Sequence, residues 1–274
     1  MNLLWAILIL LAADAVAVAA ILFVRRRAPE GSYFSDGDRA SGVFGVLATG
    51  FAIFAGFVLF LAFTSYDQSR SGAEAEALVV VQQFETAQFL PAGVRNRLTS
   101  ELVCYGRSVV GQEWPAMEDG TIGNAINPWA VALFRTLKLV EPKAASEQSA
   151  YDKWLDQTSD REEGRRDRIH GASGIVPDSI WIVLLLTAVV VFAYMLFFAD
   201  SAERARSQAM LIGSATTVVV LTLLAIYALD RPYAPGVGSI RPVAMERSLR
   251  LIDQARAVVG DGAPLPCNEE GNAS

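Results

Sequence analysis

Four apolar stretches of about twenty residues each limit what this chain can fold into. They run from Leu3 to Val24, Val43 to Phe63, Ile180 to Ala199 and Ala209 to Leu229, two before and two after a polar block of more than a hundred residues. At a rise of ~1.5 Å per residue each can cross a hydrocarbon layer of ~30 Å as a helix. Asp14 is the one formally charged side chain inside any of them. With 53% hydrophobic residues the composition agrees with an integral membrane protein. The first stretch does not read as a signal peptide, because its positive charge (Arg25, Arg26, Arg27) follows a full-length apolar run. It reads as a retained membrane helix.

The expected fold is all-α: a multi-pass membrane protein with four transmembrane helices in two hairpins and a helical extramembrane domain between helices two and three. The divisions are 1–63 for the first hairpin, 64–178 for the extramembrane domain, 179–230 for the second hairpin, and 231–274 for an amphipathic helix and tail packing on that domain. Within the polar block the second membrane helix continues past Tyr66 towards Leu90. Pro91 opens a helix to about Trp114, and 115–127, with Gly120, Gly123 and Asn124, reads as a loop. Pro128 opens a short helix, a charged helix spans about Ser146 to Ile169, and Pro177 starts the third membrane helix. Pro242 starts an amphipathic helix with Met245, Leu249, Ile252 and Val259 on one face.

Orientation follows from short loops. The two hairpin turns carry Arg25, Arg26, Arg27, Arg39, Arg204 and Arg206, which places them in the cytoplasm and the large domain and C-terminus outside, on the cell membrane. Arg161, Arg165, Arg166 and Arg168 count the other way. The two cysteines decide for the outside: Cys104 and Cys267 fall on one side, where an oxidising compartment pairs them. Two free cytoplasmic thiols are the alternative.

Catalytic chemistry finds no support. His170 is the single histidine, and HExxH, CxxC, nucleophile-elbow and phosphate-loop patterns are absent, so no enzyme, metal or cofactor is expected. A net charge of -6 without a basic tract argues against nucleic acid as a partner. Three other features bear on function. Gly45, Ala48, Ala52, Ala55 and Gly56 form a small-residue seam on the second helix, either for contact between subunits or for packing within one bundle. Phe60 and Phe63 beside it form either an apolar constriction that gates by dewetting or ordinary aromatic packing. Asp14 is either a proton- or cation-responsive site or a neutral acid bonded to a hydroxyl such as Thr49, Thr187, Ser214 or Thr217. The alternating acids and arginines from Asp160 to Asp167 read as a solvated helix face with i, i+4 pairs.

One set of residues, taken together, resembles a known family. It comprises Tyr66, Asp67, Gln68, Glu74 and Glu76; Gln112 to Met117 with Glu113-Trp114-Pro115 at its centre; Ile175, Val176 and Pro177 leading to Trp181; and Ala228 to Tyr233. In that order, over about residues 42–250, the chain is similar to the bacterial bestrophin-like membrane proteins. The resemblance implies a remote likeness to bestrophins, oligomeric anion channels with four membrane helices and an inserted helical domain. It implies the lipid bilayer, further copies of the chain and small anions as partners, and would make the Phe-rich second helix the counterpart of an apolar neck. Bestrophins keep the large domain in the cytosol, whereas the arginines and cysteines here favour the outside. A non-conducting membrane anchor or sensor, whose extramembrane helices bind a partner, is the alternative. Asp230, Arg231 and Pro232 at the end of the fourth helix read as an interface clasp, with an ion-binding site the alternative. Glu113 and Trp114 read as a helix-to-helix anchor.

Overall fold

A computed structural model describes residues 3–121, 126–260 and 262–273; the expected loop residues Gly123 and Asn124 lie outside them. The described chain is helical, in order α1 (Leu3–Arg25), α2 (Gly37–Ala87), α3 (Ala92–Ser108), a π-helical turn (Val109–Glu113), α4 (Trp114–Glu118), α5 (Pro128–Leu137), α6 (Ala145–His170), α7 (Asp178–Leu196), α8 (Ala205–Asp230) and α9 (Val243–Val259). Four of these, α1, α2, α7 and α8, are long and apolar enough to cross a membrane.

The chain divides into two compact units. The first takes residues 1–64, 175–230 and 235–238. In it α1 lies along α8, with Ala17 and Ile21 buried against Ile212 and Ala199. Phe51, Ala55 and Val58 of α2 are buried with Leu184 and Val191 of α7 and Ile226 of α8. The segments following α1 and α7 meet: Arg25 Nη2 donates to the carbonyls of Ser201 (3.0 Å) and Glu203 (2.5 Å), and Tyr33 N donates to Phe197 O (3.2 Å). Phe34 and Phe44 stack on Tyr194 at the same end.

The second unit takes residues 65–174, 231–234 and 239–274. Its core joins Val80, Phe84, Leu98, Leu102, Trp114, Met117, Leu133, Trp154, Tyr233 and Ile252. Local chemistry sets the helix starts. Asn127 caps α5 by accepting from Trp129 N (3.0 Å), with Pro128 in the first turn. Glu147 Oε2 caps α6 by accepting from Lys143 N (2.6 Å) and Ala144 N (3.2 Å). Gly72 on α2 and Gly164 on α6 let the two backbones touch. A Cβ on Gly72 would lie 2.6 Å from Arg168 N, and one on Gly164 would lie 2.8 Å from Glu76 N.

Two expectations for this unit need correction. The loop begins after Glu118, because Pro115 does not end the helix. A wide π-helical turn runs into α4 just before it, and proline, lacking an N–H, sits in that helix's first turn. On α9 the buried face is Met245, Ser248, Ile252 and Arg256, while Val259 is 54% exposed. Arg256 lays its stem on the protein and donates to Ala263 O (2.7 Å).

Cys104 and Cys267 form a disulfide, with Cα atoms 5.8 Å apart. It anchors the tail against α3 and the π-helical turn. Gln112 Nε2 in that turn donates to Glu270 O (3.0 Å), and Trp129 Nε1 on α5 donates to Gly271 O (2.7 Å). At φ 80°, and with the Ser108 backbone where a Cβ would lie, position 271 admits only glycine.

Candidate functional site: a buried ion cluster and the membrane-helix features

The most concentrated polar chemistry lies inside the second unit. The Gly72–Gly164 crossing sets it up, because the residue one turn further on each helix, Glu76 on α2 and Arg168 on α6, faces the partner. Both side chains are fully buried. Arg168 grips Glu76 with Nε on Oε2 and Nη2 on Oε1 (3.1 Å), a two-point pairing. Nη2 also donates to Glu113 Oε2 (2.5 Å) from the π-helical turn, and Nη1 reaches Met117 Sδ (3.4 Å). Glu113 Oε1 accepts from Arg165 Nη2 (3.1 Å) and Asn127 Nδ2 (2.9 Å). Tyr105 from α3 donates to Glu76 Oε1 (2.5 Å), and Tyr233 donates to the Arg168 carbonyl. The guanidinium of Arg168 sits 5.5 Å over the Trp114 ring, which Tyr233 meets edge-on at 5.7 Å.

Two carboxylates against two guanidiniums make a neutral set, the condition under which buried charge is tolerated. Burial raises the Glu113 carboxyl, but Arg168 and Arg165 lower it by more, so it stays ionised below the ordinary carboxylate range. Arg168 is disfavoured by burial but raised further by Glu76 and Glu113, which keeps it charged. Burial pushes both tyrosine hydroxyls up, Glu76 adding to the shift at Tyr105, so both remain hydrogen-bond donors.

This corrects the reading of 160–167 as a solvated face. The buried stripe of α6 is Ala150, Trp154, Gln157, Arg161, Gly164 and Arg168, a 4-3-4-3-4 spacing with polar residues at core positions. His170 is exposed. Glu113 and Trp114 do anchor helix to helix, with Arg165 and Arg168 on the other side. Sequence reasoning missed Arg161, Arg165 and Arg168. The signal that could have found Arg161 and Arg168 is Gly164 on the same spacing.

In the first unit Asp230 is 6% exposed and its carboxylate is fully engaged. Its Oδ1 accepts from the backbone N–H groups of Ile175 (2.7 Å) and Val176 (2.6 Å), and its Oδ2 from Trp181 Nε1 (3.2 Å). This ties the entry to α7 onto the end of α8. In the second unit Arg231 is exposed and Pro232 is buried, its carbonyl accepting from Ile240 N (2.8 Å). Asp14 Oδ2 accepts from Thr217 Oγ1 (2.8 Å), one of the four hydroxyls considered, while Oδ1 is buried with no partner among the described residues. Of the seam residues Ala55 is buried and Ala48 partly so, whereas Gly45, Ala52 and Gly56 are exposed. A Cβ at Gly45 or Gly56 would meet nothing within 4 Å. Phe60 and Phe63 are 63% and 55% exposed. Among the described residues no group of three or more His, Cys, Asp or Glu side chains could hold a metal ion.

A family model described as the bestrophin-like domain matches residues 11–245. The crystal structure of a bacterial bestrophin homologue from Klebsiella pneumoniae, phased on zinc, superposes with a TM-score of 0.67 at 14% identity, covering 92% of this chain and 99% of that one. A variant of a bestrophin homologue from the same organism, with an aspartate replaced by alanine, gives 0.67 at 13% identity, over 93% and 98%. At such identity the likeness is one of fold. No curated protein matches the chain.

Proposed function

The chain belongs to the bestrophin-like family, and from that premise we propose that it is an oligomeric membrane protein that passes small anions, with copies meeting along α2. The observation that carries this reading is the open face of α2. Gly45, Ala52 and Gly56 leave room for another backbone, and the Phe60 and Phe63 rings beside them stand exposed. In the assembly these rings form the apolar constriction. Residues 64–178 form an extramembrane domain between two membrane hairpins. The contacts of Arg25 with Ser201 and Glu203 support both hairpin turns lying on one side. The arginines of those turns favour the cytoplasm, and the disulfide favours an outer compartment for the domain and tail. Asp14, bonded to Thr217, acts as a hydrogen-bonded tie between α1 and α8.

Planar-bilayer recording of the purified protein tests this. Anion-selective currents altered by Phe60→Ala are expected. Silence across ions and pH refutes conduction and leaves the anchor or sensor reading, in which the extramembrane helices bind a partner.

A further inference from the structure

A cleft of about 460 Å³ opens between α5 and α6 of the second unit. Val131, Phe134 and Ile169 give it an apolar wall; Asn127, Thr158, Arg161, Arg165 and the carboxylate of Glu162 give it a polar one. Arg161 is the informative member. Its side chain is 1% exposed, like that of Arg168, yet it lacks the two carboxylates that neutralise Arg168. Nη1 donates to the neutral Gln83 Oε1 (2.9 Å), and the guanidinium lies 4.7 Å over the Tyr105 ring. Nη2 reaches Glu162 at 3.4 Å, but that carboxylate's side chain is 44% exposed. Nε is buried with no hydrogen-bond partner among the described residues.

A buried cation with an unsatisfied donor is unfavourable unless an acceptor arrives. The guanidinium fork fits a carboxylate, and Arg165 on the next turn adds a second positive group, itself balanced by Glu113. The apolar wall calls for a ligand with a hydrocarbon part, and the volume lies in the range of small-ligand clefts. We propose that this cleft binds a small organic monocarboxylate, its carboxylate on Arg161 and Arg165 and its hydrocarbon against Val131, Phe134 and Ile169. The incoming carboxylate takes the place of Glu162, which is held by a single long contact. The site is independent of conduction and of the α2 face.

Calorimetric titration of the purified full chain, disulfide intact, tests it with benzoate, with the neutral isostere benzamide, and with inorganic phosphate. Saturable benzoate binding is expected, with benzamide and phosphate each weaker by at least about tenfold. Val131 is 37% exposed at the cleft, so Val131→Glu adds a repelling charge without burying it, and should weaken benzoate by about tenfold or more. Arg161→Gln should abolish binding; should that variant fail to fold, Val131→Glu still decides. Absence of saturable benzoate binding, equal affinity for benzamide or phosphate, or unchanged affinity in Val131→Glu would each overturn the proposal.

Discussion

Replacing Arg168 by methionine removes the cation that the buried cluster is built on. Glu113 keeps Arg165 and Asn127, but Glu76, fully buried, keeps only the Tyr105 hydroxyl among the described residues. Breaking a buried ion pair from one side costs roughly 3–5 kcal/mol, because the surviving charge stays desolvated. For a folding unit of 150–250 residues each kcal/mol lowers the melting temperature by about 2–4 °C, so a fall of roughly 6–20 °C is expected. Trp114, Trp129 and Trp154 are buried in the same unit, so tryptophan fluorescence during heating reports its unfolding. Pairing the change with Glu76→Gln separates charge from packing. The double variant has no stranded carboxylate at position 76, and should be more stable than the sum of the two single losses predicts. The reasoning is refuted if Arg168→Met costs under about 1 kcal/mol, or if the two losses simply add.

Four further outcomes follow from the same contacts. Gly72→Ala places a methyl 2.5 Å from Asp167 Cβ and 2.6 Å from Arg168 N, and should destabilise the protein by more than the usual ~1–3 kcal/mol of overpacking, read from the same melts. Glu113 has a lowered folded pKa, so its ion pairs contribute fully above the ordinary carboxylate value of 4.5 and are lost as pH falls through the folded value; melts of Arg165→Gln should lose the part of this acid dependence that wild type shows below that pH. The Cys104–Cys267 bridge spans 163 positions, and Cys104→Ser with Cys267→Ser should cost roughly 2–4 kcal/mol, measured in denaturant with and without reductant. With the second unit outside, Val258→Cys, at an 86% exposed position, should react with a membrane-impermeant maleimide on intact cells; labelling only after permeabilisation would reverse the orientation.

The apolar helices were legible in the sequence because membrane-length hydropathy depends on nothing but local composition. Their observed ends, Arg25, Leu196 and Asp230 among them, lie within a few residues of those expected. The bridge was legible because two cysteines leave one pairing to consider. The charged helix was not, since an amphipathic reading looks for apolar residues on the buried face. Here that face carries Gln157, Arg161 and Arg168, and the carboxylates that neutralise Arg168, Glu76 and Glu113, lie about 50 to 90 residues away in the chain. Asp230 was placed correctly at the helix end. Its partners are backbone N–H groups at Ile175 and Val176, which no side-chain pattern reveals.

The residues that gave the chain its family resemblance are concentrated at these polar junctions. Glu76, Glu113, Trp114 and Tyr233 meet Arg168 in the second unit, and Trp181 meets Asp230 in the first. A physical reason connects the two facts. Apolar core positions accept exchanges of similar volume at less than ~1.5 kcal/mol, so a helical core can be rebuilt almost residue by residue. A buried carboxylate that serves two or three donors has no such substitute, because any replacement leaves a donor stranded. Leu102→Ile or Val80→Ile should accordingly cost less than Glu76→Leu, although all three sites are equally buried.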